Sequence, residues 1–261
     1  MGADRARLYR KRDAQPDIQP GLRKSAEPVN STLGIARLQM VAEITQRINE
    51  IVKHHIAPWA KSHGFKKHGQ RFTRQEGSCI WIVEVKRWKY NIDNHGKVSL
   101  DLGVYFPDWD KLVREFPQMQ SWEPVPEVPA TWCCYVRESL DKLCSEELND
   151  SWWWEVEPTT DLAVLGARLA QSLEAKGLPW LSHKSNFNHA VSELSQEAER
   201  LRGMWIEKIL CLVGWVQLNN MQKARQLYQL AIIDEPRQQC KTVAVFGSWL
   251  EEIGRKGSPN A

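Results

Sequence analysis

The sequence predicts an α+β fold: an antiparallel sheet of four or five strands covered by helices, followed by a C-terminal helical subdomain. Three observations predict it. Val41, Ile44, Ile48, Ile51 and His55 recur at spacings of three and four, the period of one helix face. Residues 98–104 alternate, with Val98, Leu100, Leu102 and Val104 on one side and Ser99, Asp101 and Gly103 on the other. From Asn186 to Lys256 the pattern is helical, with Asn219-Asn220 and Asp234-Glu235-Pro236 as punctuation.

The elements follow in order. Residues 1–37 are rich in charge, Pro and Gly without apolar period, which predicts a disordered basic tail. The first helix starts near Met40. Pro58 is expected to break or kink it, leaving a last short turn capped by Gly64. An antiparallel meander comes next. Residues 70–76 form one strand, and Gly77-Ser78 the turn. Residues 79–88 form a second strand with Trp81, Val83 and Val85 on one face. A turn over 91–97 leads to the strand over 98–106. Residues 107–117 predict a short helix. Pro124, Pro126 and Pro129 predict a loop, and residues 131–140 a strand running into a helix. In the strand over 151–157, Trp153 faces one way and Trp152 and Trp154 the other. Thr160 caps the next helix, Gly177 stops it, and Leu178–Leu181 is loop. The domains so predicted are 1–37, 38–185 and 186–256.

The chain has 261 residues, enough for one large or two smaller domains with a core of their own. Thirteen tryptophans outnumber the phenylalanines and tyrosines together, so tryptophan burial decides where the core lies. No apolar stretch approaches the ~20 residues of a membrane helix, and the basic N-terminus lacks the apolar run of a secretory signal. Six cysteines form no CxxC pair, which predicts buried free thiols in a reducing cytoplasm. Cys133-Cys134 in particular reads as structural, away from any helix start that would favour a thiolate.

Charge is unevenly distributed. Residues 1–37 hold 8 basic and 4 acidic residues, and residues 60–100 hold 9 and 3. The remainder of the chain carries 18 basic and 25 acidic residues, a balance of −7. A basic lobe on an acidic body suits an oriented partner better than a general polyanion coat.

Chemistry-bearing motifs are sparse. There is no Walker loop, GxGxxG, GxSxG or HExxH. His54 and His55 point about 100° apart on a helix, so neither a metal site nor a cofactor is expected. Asp101, Asp108 and Asp110 read as solvated or capping carboxylates. No catalytic set is identified.

The run Gly64-Phe65-Lys66-Lys67-His68-Gly69-Gln70-Arg71-Phe72, the Trp/Ile/Val strand after it and the strand with Leu102-Gly103-Val104 carry a resemblance. So do Arg137 ahead of Trp152 to Trp154, and Gly177-Leu178-Pro179-Trp180-Leu181. Over Met40 to Ala190 the chain resembles the bacterial family named domain of unknown function 4304. It departs where Lys86, Arg87 and Trp88 replace a Gln-Lys-Ser-like step. The resemblance implies no reaction and no catalytic residues. Near the C-terminus Trp215, Ala224, Tyr228, Ala231 and Pro236 resemble a single tetratricopeptide hairpin, with Leu212 where a small residue is expected.

The strongest local signal is Ser62–Gly77, where Lys66, Lys67, Arg71 and Arg74 precede any acid and alternate with Phe65 and Phe72. The phenylalanines read as inward and the cations as outward. With Lys86, Arg87 and Trp88 these are the candidate partner-binding residues. Three readings stay open: a solvated face, a site for an acidic protein, and a nucleic-acid site. The expectation is a non-enzymatic cytoplasmic binding protein. Its concrete form, by family resemblance and charge polarity, is an immunity-type neutralising partner in a bacterial toxin or defence system. The alternative is a nucleic-acid-binding or -processing protein using the 60–100 lobe. No membrane partner is expected.

Overall fold

The computed structural model describes residues 43–87, 96–116, 124–145, 153–200, 205–234 and 240–256. The expected basic tail, Met40, Val41, Trp88, the turn over 91–95, Trp152 and Pro236 lie outside them. Two compact units divide between Ala190 and Val191. Among the described residues no helix is long and apolar enough to cross a membrane.

The first unit is an α+β domain. Helix α1 occupies residues 43–51, continues through a π-helical turn Val52–Ile56, and becomes α2, Ala57–Ser62. Pro58 therefore does not break the helix. A proline lacks the N–H and crowds the carbonyl four residues back; an extra residue in the preceding turn moves that carbonyl away. Ala57 N–H accordingly donates to Val52 O, five residues back. The same device recurs ahead of Pro179. Helix α5, Leu162–Ser172, widens into a π turn, Leu173–Gly177, and runs on as α6, Leu178–Lys184. The expected stop at Gly177 and loop at Leu178–Leu181 are thus corrected: both are helical. Asp161, not Thr160, caps α5, accepting from Ala163 N and Val164 N. Thr160 Oγ1 instead accepts from Glu157 N at 2.8 Å.

After α2 the chain closes as the sequence expects. Gly64 sits at φ 76°, Gly64 N–H donates to Lys61 O and Phe65 N–H to Ala60 O, a Schellman motif that satisfies the last carbonyls. Among the described residues six strands follow: β1 Lys66–His68, β2 Arg71–Glu76, β3 Cys79–Arg87, β4 Gly96–Tyr105, β5 Val136–Ser139 and β6 Trp154–Val156. Between them lie α3, Pro107–Arg114, a 3₁₀ turn, Thr131–Cys133, and α4, Leu140–Leu143. The sheet is antiparallel in the order β1-β2-β3-β4-β5, with β6 also on β4. Strand β4 is ten residues long, so one edge serves both short strands: Gly96–Val98 pairs β6, and Asp101–Val104 pairs β5. The expected count of four or five strands misses β1, three residues that are all exposed and carry no apolar alternation.

The core lies on one face of this sheet. Phe72, Trp81, Val83, Val85, Val98, Leu100, Leu102 and Val104 alternate inward there and are buried. Full burial of such side chains stabilises by about 1.5–3 kcal/mol each. Helix α1 covers one end closely enough that a Cβ on Gly96 would stand 2.2 Å from Ile44 Cγ2. The π turn covers the middle, with Gly177 over Leu102. The expected inward positions of Phe65 and Phe72 hold, and Trp154 is buried beside Val98 in register.

Among the described residues the second unit contains three helices besides the end of α7, Phe187–Arg200: α8 Trp205–Gln217, α9 Met221–Asp234 and α10 Cys240–Lys256. A tight turn with Asn219 at φ 59° joins α8 to α9, and Asn220 Oδ1 caps α9 by accepting from Lys223 N. Lys208 near the start of α8 pairs with Asp234 at the end of α9, so the two helices run antiparallel. Lys208 is 1% exposed, and its aspartate is what makes burial of that charge tolerable. Trp215 Nε1 donates to Ser195 Oγ, which donates to Val191 O.

Candidate functional site

Strand period distributes the predicted cations over two faces. The register sets Phe72 opposite Val83 and Leu102, on the core face. One residue along, Arg71 stands opposite Glu84, and Glu84 opposite Asp101. Lys66, Arg71 and Lys86 therefore belong to the charged face. Lys67, Arg74 and Arg87 belong to the side of the core, at its rim. The single basic patch that the sequence suggests is split in two.

The structure also separates engaged cations from exposed ones. Arg71 lies 3.9 Å and Lys86 2.9 Å from Glu84 Oε1. Arg71 also donates to Val128 O. Arg74 pairs with Glu76 at 2.7 Å, donates to His63 O and stacks 4.8 Å above the Trp81 ring. Lys66, Lys67 and Arg87 are exposed. Trp88 lies outside the described residues.

Glu84 is the hub of the charged face. Besides the two cations it accepts from Thr131 N at 3.0 Å and Thr131 Oγ1 at 2.6 Å. Burial would raise its carboxyl; the Thr131 and Lys86 hydrogen bonds outweigh that and hold it below the ordinary carboxylate range. The proline-rich segment ending in Thr131–Cys133 thus forms a lid over this face. It lies so close that a Cβ on Gly103 would be 2.7 Å from Cys134 Sγ.

Two further carboxyls sit under or beside that lid. Burial lifts Asp101 to about 6; Lys86 and Arg137 oppose the rise and Glu84 adds to it. Burial lifts Asp141 to about 7, against a hydrogen bond from Ser99 and with help from the Asp101 charge. Asp141 and Ser99 are each 2% exposed; Ser99 Oγ donates to Asp141 Oδ2, and Asp141 Oδ1 has no hydrogen-bond partner. Asp110 is buried as well, accepting from Tyr105, Tyr135 and Arg114 at 2.7–3.0 Å. The expected solvated or capping role holds for neither Asp101 nor Asp110; only Asp108 is exposed. The sequence did show Ser99, Asp101 and Gly103 on one strand face. It could not show the segment, some thirty residues on, that covers them.

On the opposite side of the domain His63 links two helices. Its Nε2 lies 2.9 Å from Glu174 Oε2 and its Nδ1 2.8 Å from Trp59 O, while Trp59 Nε1 donates to Glu174. Ser62 Oγ is 3.3 Å from His63 Nδ1 but donates to Trp59 O. The serine proton is already committed, so this trio is a helix-to-helix tie rather than a nucleophile with its base. Among the described residues no group of three or more His, Cys, Asp or Glu is placed to hold a metal ion.

Beside β1 the surface forms a concavity of about 210 Å³, bordered by Gly64, Lys66, Thr73, Gln75, Ile80, Val128 and Pro129. The class defined by this geometry is an α+β domain with a helix-covered apolar face, a lidded charged face and a basic edge hairpin. Residues 56–183 match the model of the family described as Domain of unknown function (DUF4304), and this stretch of the chain belongs to that family. The match takes in the whole sheet. No curated protein and no solved structure matches the chain.

Proposed function

We propose that the α+β unit is a binding module, not an enzyme, that receives an acidic partner protein on the β1–β2 hairpin. One observation carries this reading. Arg71, Arg74 and Lys86 are tied to acids within the domain, whereas Lys66 and Lys67, on the two faces of β1, are both exposed on an edge strand that is exposed along its whole length. Lys61 on the neighbouring helix α2 is exposed too. An outward cluster of cations steers an acidic surface and contributes more to orientation and association rate than to raw affinity.

An immunity-type partner of a bacterial toxin or defence system is the concrete form of this proposal. It draws on the contrast between the basic 60–100 lobe and the acidic remainder. A reducing cytoplasm is the compartment it implies, consistent with buried free thiols at Cys79, Cys133, Cys134, Cys144 and Cys211. The test is a calorimetric titration at about 0.15 M salt with a poly-glutamate peptide and with single- and double-stranded oligonucleotides. The expected result is peptide binding that Lys66→Glu with Lys67→Glu abolishes, and weak, sequence-independent oligonucleotide binding. Submicromolar oligonucleotide binding lost in the same variant would replace this reading with the nucleic-acid one.

A further inference from the structure

We infer that His183 and His189 form a two-imidazole site for a borderline divalent transition ion of the Zn²⁺ class. The inference stands apart from the acidic-partner reading and uses none of its residues. Six positions separate the two histidines, which one continuous helix would set about 240° apart around its axis. The chain is not one helix there: α6 ends at Lys184 and α7 begins at Phe187. The corner between them brings the two rings to 5.4 Å, centre to centre, with their planes 32° apart. Both histidines are exposed.

The corner is anchored on both sides of the gap. Ser185 N and Ser185 Oγ both donate to Leu181 O, and Trp81 Nε1 on β3 donates to Ser185 Oγ. Phe187 lies edge-on to Phe106 at 5.1 Å and to Trp109 at 5.3 Å. Asn186 Oδ1 accepts from His189 N at 3.0 Å and Asn186 O from Ala190 N, which fixes the start of α7. The backbone under both rings is thus set by the core of the α+β unit, so holding an ion costs side-chain freedom alone. The spacing suits one ion. A ring nitrogen lies roughly 1.2 Å from the centre of its imidazole and about 2.0–2.1 Å from bound zinc, so two rings on one tetrahedral ion have centres about 5 Å apart. Imidazole suits zinc, copper and nickel, whereas magnesium and calcium take oxygen ligands. Two protein ligands leave the remaining positions to solvent, so the ion exchanges, unlike one in a closed four-ligand site.

The experiment is a calorimetric titration of the full chain with Zn²⁺, and separately with Mg²⁺, in a buffer that does not bind metal. The expected result is zinc binding that weakens about tenfold or more in His183→Asn and by a similar factor in His189→Asn, since either change leaves a single ligand. Mg²⁺ should give no such binding. His54→Asn, at an exposed histidine elsewhere, should leave the zinc affinity as it was. Both corner positions are exposed, so the thermal midpoints of the metal-free variants should match that of the parent chain. In the unaltered chain, paramagnetic Ni²⁺ should broaden the ring-proton resonances of these two histidines together, a readout that does not depend on how the variants fold. Zinc binding that both single variants retain overturns the site and leaves a ring contact only. So does a loss in one variant that the other does not reproduce, Mg²⁺ binding as tight as Zn²⁺, or broadening of one of the two rings without the other.

Discussion

On one face of the sheet Phe72 meets Val83, and Val83 meets Leu102; one residue along each strand, on the other face, Arg71 meets Glu84, and Glu84 meets Asp101. The first row is held by non-directional burial against α1 and the π turn. Its members could be exchanged for others of similar volume at modest cost. The second row has no such freedom. Each charge under the lid requires a named partner, because a buried ion left alone costs far more than a lost contact. The comparison teaches that one strand can contribute to a core on both sides while only one side reads as a core in sequence.

The largest test of this contrast is Phe72→Ala, which should lower stability by about 3–5 kcal/mol with a sharp, cooperative melt retained. A smaller loss, under 1 kcal/mol, would show that the helix-covered face is loosely packed. Glu84→Ala should cost about 2–3 kcal/mol, since it strands Arg71, Lys86 and both Thr131 donors at once. Glu84→Gln should cost less, because the amide oxygen can still accept from Thr131. Equal losses from the two would mean that charge, not donor satisfaction, governs that face.

The charged face should also make stability depend on pH, with a definite sign. Asp101 and Asp141 start from 3.8 in an ordinary setting and are raised to about 6 and about 7 in the fold. Between those limits the folded state holds protons that the unfolded chain has released, so stability falls as pH rises. Denaturant melts should show the greatest stability near the acidic end of this window and a loss on the order of a few kcal/mol by neutral pH. Asp141→Asn should flatten most of that slope. A stability that rises from about pH 4 to 7 would break the account of the lidded carboxyls.

Smaller effects separate local order from both faces. Asp161→Ala removes the cap of α5 and should cost about 1 kcal/mol in a thermal melt. Thr160→Ala, by the reading from sequence the equivalent change, should instead loosen only the turn in which Thr160 accepts from Glu157 N. At the small end, Lys66→Glu should change stability by no more than about 0.5 kcal/mol, because its side chain is exposed on an edge strand. A larger change would show that β1 is part of the folded framework and not merely its binding rim.

Much of this fold was legible from residue patterns. The alternation in 98–104 identifies β4 and its two sides, and the Gly64 cap, the inward Phe65 and Phe72 and the helical C-terminal third all follow from local chemistry. The family could be named from the spaced glycine, phenylalanine and tryptophan positions. Other features escaped for identifiable reasons. Pro58 read as a break or kink because the rule for proline assumes a regular α-helix, and Gly177 read as a stop ahead of a loop; in both places a π turn, i to i−5, carries the helix on past the proline. Strand β1 escaped because three exposed residues carry no apolar signal.

The sequence by itself determined which residues share a side: strand and helix periods follow from backbone geometry, and every residue obeys them. Only the tertiary structure decided what lies over each side. Glu84 and the Thr131 that satisfies it are 47 residues apart. Ser99 and Asp141 are 42 apart. No local period connects such pairs, so a polar strand face reads as solvated until the chain returns to cover it. That return makes Asp101 and Asp141 half- or fully buried acids and gives Glu84 its two Thr131 donors. The cations of β1, which no later segment among the described residues reaches with an ion pair in this fold, stay outward for the same reason: burial is decided by long-range packing, and exposure is what remains where that packing stops.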